Sequence, residues 1–82
     1  MKLYLISQTV NNGYDTYDSA VVCAPDEETA RRMDPGGEGG AMVNPEDNYC
    51  WTNDLANVKV DYIGKAKPGT LQHVVCASFN AG

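Results

Sequence analysis

The residues best suited to bind or react crowd into one stretch, Asn11, Asn12, Gly13, Tyr14, Asp15, Thr16, Tyr17 and Asp18. Tyrosine offers a rigid stacking surface with a hydroxyl, and Asn and Asp offer donors and acceptors that suit a base, a ribose or a protein backbone. The same residues also suit a capped hairpin loop, with Asx turns using the amides and carboxylates and the tyrosines packing on a sheet edge. Arg31 and Arg32 are the only arginines, and they are adjacent. Either could hold a phosphate or a carboxylate, or both could line a solvated helix face. Trp51 is the single tryptophan, and it fits a core anchor as well as a stacking platform or an interface hot spot. The candidate binding set is therefore Asn11, Asn12, Tyr14, Asp15, Tyr17, Arg31, Arg32 and Trp51.

Catalytic chemistry has less to work with. His73 is the only histidine, which excludes a histidine-based metal cluster, and neither a cofactor nor a resident metal is expected. The three cysteines, Cys23, Cys50 and Cys76, lie far apart and form no Cys-x-x-Cys pair. Reduced, partly buried thiols are expected, with neither a disulfide framework nor a zinc site. A Cys–His dyad would need His73 near Cys23 or Cys50, because strand alternation puts His73 and Cys76 on opposite faces. Acid pairs such as Asp15 and Asp18 could bind a cation or exchange protons, but nothing marks them out. Gly36, Gly37, Glu38, Gly39 and Gly40 do not form a phosphate loop, since they follow a helix and lack a Gly-Lys-Ser/Thr ending. A flexible linker or a ligand-gated lid remains. The expectation is a protein that binds and does not catalyse.

Composition limits the partners. At 82 residues the chain is read as a single domain, residues 1–82. A domain this small buries only roughly 60% of its unfolded surface, so self-association would help it, and a homo-oligomer is expected. The net charge of −5 supplies no basic footprint, so direct nucleic-acid binding is not expected. No apolar run approaches the roughly 20 residues of a bilayer span. The opening stretch turns polar too soon for a signal peptide, so residence where the chain is made, the cytoplasm, is expected.

The elements that must position these residues follow from pattern. Residues 2–10 alternate as a strand whose faces both start apolar, as expected of a central strand covered on two sides. Asn11-Asn12-Gly13 supplies turn chemistry, since Asn and Gly tolerate positive φ. A second strand runs over residues 19–24, making a long-looped antiparallel hairpin. A helix over 27–33 is capped by Asp26, carries Glu27 and Glu28 four residues before Arg31 and Arg32, and buries Ala30 and Met33. Asp34-Pro35-Gly36-Gly37 stops it, and a Gly-rich connection over 34–48 ends on an apolar anchor, Tyr49-Cys50-Trp51. Strands over 58–66 and 73–79 flank a turn at Lys67-Pro68-Gly69-Thr70. The order ββαββ predicts an α+β fold, a mainly antiparallel sheet of about four strands with one short helix across it.

Lys2-Leu3-Tyr4-Leu5-Ile6-Ser7-Gln8, the block Gly13-Tyr14-Asp15-Thr16-Tyr17-Asp18-Ser19-Ala20-Val21-Val22 and the ending Ala77-Ser78-Phe79-Asn80-Ala81-Gly82 carry a resemblance. So do Ala30-Arg31, Trp51, Val58-Lys59-Val60 and Ile63-Gly64. Together they resemble a group of short proteins of phages and prophages to which no chemistry is assigned. The likeness touches most of the chain, with residues 36–48 outside it. It implies a counter-defence factor in the host bacterial cell, by analogy with other small acidic phage proteins. One such kind sequesters a nucleotide immune signal in a pocket between copies of a homo-oligomer. The other, as in anti-CRISPR proteins, blocks a host defence protein, and a phage accessory or structural role is a further reading. The tyrosines and arginines favour a small nucleotide-type ligand and put the sequestering reading first, whereas the −5 charge favours the alternative, a protein partner.

Overall fold

Apolar alternation in the first two strands builds the sheet from its middle outwards. The computed structural model describes residues 1–37, 42–43, 50–52 and 54–80. Strands β1 (Lys2–Ser7) and β2 (Thr16–Ala24) pair antiparallel with Ser7 opposite Ser19 and Lys2 opposite Ala24. Helix α1 (Glu27–Arg32) follows, then a 3₁₀ turn (Leu55–Asn57), β3 (Lys59–Lys65) and β4 (His73–Asn80). The four strands lie in the order β3-β1-β2-β4, every neighbouring pair antiparallel. This is the small α+β fold expected from the ββαββ order.

Side-chain alternation splits the sheet into unlike faces. Tyr4, Ile6, Ala20, Val22 and Ala24 point to one side and pack with Ala30, Met33, Trp51 and Val58 into the core. Leu3, Leu5 and Val21, on the other side, stay half-buried, and no element described lies over them. The expectation that β1 is covered on two sides is therefore corrected. One six-residue helix can blanket only one face of four strands. A shallow hollow of about 210 Å³ on the uncovered side is lined by Leu5, Ser19, Val21, Cys76 and Ser78 among others.

Local chemistry explains the connections. Asp26 accepts from the Thr29 N–H at 2.8 Å and caps α1, whose last turn holds Arg31 and Arg32 against Glu27 at 3.5 Å and Glu28 at 2.9 Å. Met33 belongs to the cap, one residue beyond the helix, and is fully buried. The β3–β4 link turns at Pro68-Gly69, where Gly69 has φ +86° and Thr70 N–H donates to the Lys67 carbonyl, a type II arrangement. It then crosses the sheet end from one edge strand to the other, roughly 14 Å for three strand spacings. Residues 38–41 and 44–49 of the Gly-rich connection, Tyr49 among them, lie outside the described residues. Among the described residues no helix is long and apolar enough to cross a membrane.

Register shifts interrupt the ladders at three places, and one of them changes what alternation predicts. The break between Val21 and Val22 on β2 places Cys76 opposite Val21 and His73 opposite Cys23. Val21 and Cys23 share a face, so His73 and Cys76 share it too. That corrects the expectation of opposite faces, because the extra residue Val75 inverts the alternation. Of the three free thiols, Cys23 is buried, Cys50 half-buried and Cys76 exposed.

The Asp26 cap gives a pH signature. The Thr29 backbone N–H, then its side chain, and Lys2 at longer range hold the Asp26 carboxyl below its ordinary value of 3.8. A carboxyl lowered by folding stabilises the fold above pH 3.8 and loses that contribution as acid carries the pH through its lowered folded value. Asp26→Ala should lower the urea midpoint at pH 7, and the gap to the parent chain should close below pH 3.8. Asp26→Asn, which still caps, should leave a smaller gap. A gap independent of pH would show that the cap carries no charge-dependent stability.

Candidate functional site: the hairpin loop

The loop between β1 and β2 is fixed by one buried amide. Gln8 is 3% exposed and uses its whole hydrogen-bonding capacity. Its Oε1 accepts from Val10 N–H at 2.9 Å and Asn11 N–H at 2.8 Å. Its Nε2 donates to the Asn11 carbonyl at 2.8 Å and the Tyr17 carbonyl at 2.9 Å. The backbone N–H of Gln8 also donates to the Asp18 carbonyl. One side chain thus ties the start of the loop to its end.

Two other segments grip the same loop. From β4, Asn80 donates to Asp18 Oδ1 at 2.8 Å and to Thr16 Oγ1 at 3.2 Å, and its carbonyl accepts from Asp15 N–H at 2.6 Å. From the connection, the Cys50 carbonyl accepts from Tyr17 N–H and the Trp51 carbonyl accepts from Asn11 Nδ2 at 2.9 Å. Thr16 is buried and donates to the Gly13 carbonyl at 2.7 Å. The positive φ of this loop falls on Asp15, at 60°, not on the Asn-Asn-Gly run where turn chemistry would put it. Aspartate tolerates that region, and the Asn80 contact holds it there.

The eight candidate residues separate by role. Asn11, Tyr17 and Trp51 come together as structural members: Trp51 is 1% exposed, and the Tyr17 ring packs 4.8 Å from Phe79 with Gly36 close against its edge. Trp51 is therefore a core anchor. Arg31 spans from Glu27 to the carbonyls of Leu55 and Val58, bracing the helix against the start of β3. Arg32 stays exposed beside Glu28. Asn12, Tyr14 and Asp15 are the exposed members; Asn12 Nδ2 donates to the Thr9 carbonyl at 2.7 Å and Tyr14 is 81% exposed. The loop and the arginines thus each have their own structural ties.

Sequence reasoning passed over Gln8, Asn80 and Val10. Val10 is 60% exposed on the same loop as Tyr14, so the tip presents an aliphatic and an aromatic side chain on a pinned backbone. A signal for Gln8 was present: it occupies an inward register position after Tyr4 and Ile6, where a polar residue must find buried partners. His73, opposite Cys23, has its Nδ1 donating to the Leu71 carbonyl at 2.7 Å, and Cys23 is wholly enclosed. Among the described residues no group of three or more His, Cys, Asp and Glu side chains is placed to hold a metal ion. Comparison with protein-family models, with curated proteins and with solved structures finds no match.

The amide predicts its own mutational signature. Gln8→Leu leaves two backbone N–H groups and two carbonyls without their partner and should cost about 2–4 kcal/mol, read as a lower urea midpoint. Asn11→Ala, which removes the Nδ2 bond to the Trp51 carbonyl and leaves the Gln8 side chain in place, should cost less, about 1 kcal/mol. Equal losses would remove Gln8 from its central place.

Proposed function

We propose that this protein acts by stoichiometric binding, without turnover, and that its hairpin loop is the element that engages a protein partner. The observation that carries this reading is the pinned loop with Val10 and Tyr14 exposed at its tip. A rigid backbone presenting an aromatic and an aliphatic anchor loses little entropy on docking, and such anchors carry most of the energy of protein interfaces. The net charge of −5 favours the same choice, since an acidic surface repels a free nucleotide unless cations gather at the site. Arg31, which could have supplied such a cation, is braced to backbone carbonyls. The likeness to phage and prophage proteins supplies a setting: a counter-defence factor in the bacterial cytoplasm that blocks a host defence protein.

A second reading rests on Tyr14 alone. With Asn12 and Asp15 exposed beside it, Tyr14 could stack on a base, and a nucleotide signal would then be sequestered between copies of the chain, with Arg32 the arginine still on the surface.

One pair of measurements separates the two. Tyr14→Ala should melt as the parent chain does but lose at least about 2 kcal/mol of binding, roughly thirtyfold, to the host protein that the parent holds one-to-one in native mass spectrometry. Cyclic nucleotides and ADP-ribose derivatives should leave the parent melting temperature unchanged. A nucleotide-induced rise that disappears in Tyr14→Ala would replace the protein partner with the second reading.

A further inference from the structure

The two edges of the sheet are built differently. β3, on one side, carries Lys59, Asp61 and Lys65, the charged residues that discourage strand-to-strand pairing. Paired with itself about its midpoint Tyr62, it would also bring Lys59 opposite Lys65 of the other copy. β4, on the far side, has no proline, lysine, arginine or acid over His73–Asn80. Residues Val75, Cys76, Ala77, Ser78 and Phe79 are exposed without interruption, Val75 at 48% and Phe79 at 45%. The bulge at Val75 lies near one end of β4, and the second shift on this ladder skips Asp18 of β2, so Cys76, Ala77, Ser78, Phe79 and Asn80 run on with no inserted residue of their own.

We propose that β4 is a self-association edge whose occupant is β4 of a second copy, antiparallel about a two-fold axis at Ser78. An antiparallel edge is self-complementary under such an axis, and the contact closes on itself instead of propagating. Charge selects this edge: two chains of net charge −5 repel, and β4 itself carries no acid, while the Asp18 carboxylate beside its end is held by Asn80. Pairing joins two four-stranded sheets into one of eight, whose outer edges are then both the lysine-bearing β3. Phe79 lies opposite Ala77 of the other copy, a large side chain against a small one. The hollow lined by Leu5, Val21, Cys76 and Ser78 meets its own copy across the axis and becomes a continuous apolar trough. This inference does not depend on what Tyr14 contacts.

Sedimentation equilibrium of the full chain tests it. The parent chain should be dimeric at about 0.5 mM and dissociate on dilution. Ser78→Lys sets two like charges directly opposite each other and should raise the dimer dissociation constant about tenfold. Should that variant fail to fold, Ser78→Cys in a Cys50→Ser, Cys76→Ser background decides the matter. Under mild oxidation it should form an intermolecular disulfide, because residues paired across the axis fall within disulfide reach. A parent chain monomeric at about 0.5 mM, as it would be if this edge awaited a strand from another protein, would overturn the proposal. So would a dimer indifferent to Ser78→Lys, or one that forms no disulfide through Ser78→Cys.

Discussion

The Gln8 amide is the interaction on which the rest of this structure depends. It is buried, it makes four hydrogen bonds, and all four go to the backbone at the two ends of the hairpin loop. A satisfied amide in that position stabilises modestly, whereas its loss strands several polar groups in a dry environment. The asymmetry makes the loop conformation close to all-or-none. It also explains how β2 can begin at Thr16, immediately after the turn, although the apolar run starts only at Ala20. Hydrogen bonds, together with the Tyr17 ring packed on Phe79, hold that first part of the strand.

From this clamp the architecture follows outwards. The hairpin fixes β1 against β2, α1 covers one face, and the chain returns along both edges. Among the described residues α1 covers one face, and Leu3, Leu5 and Val21 on the other remain half-buried. Lysines guard one edge and leave the other plain. A small acidic domain thus presents a hydrogen-bonded loop and an uncharged strand, β4, whose Asn80 grips that loop.

Where contacts are local, the sequence announces them. Asp26 and Thr29 are three residues apart, Glu28 and Arg32 four, and Pro68-Gly69 sits inside its own turn; each was readable from residue types alone. The four strands and the helix were legible for the same reason. The candidate site was only partly legible. Tyr14 stood out, but the partners that pin its loop are remote: Asn80 meets Asp18 across 62 positions, and Asn11 meets Trp51 across 40. No periodicity encodes such pairs. The bulge at Val75 is equally silent, because a single inserted residue leaves the apolar pattern of β4 unchanged while moving Cys76 to the other face. Arg31 misled for another reason, since a guanidinium bracing carbonyls has the same sequence signature as one awaiting a phosphate.

The hydrogen bonds of Gln8, Asn80 and Cys50 hold the loop in one conformation in the free protein. Amide hydrogen exchange of the free protein tests this directly. Val10, Asn11, Asp15 and Tyr17 each donate to a fixed acceptor, Gln8 Oε1 for the first two and the Asn80 and Cys50 carbonyls for the others. Their amides should therefore exchange as slowly as those of β1 and β2, while that of Tyr14 at the tip exchanges fast. Uniformly fast exchange across the loop, with the strands still protected, would contradict the account.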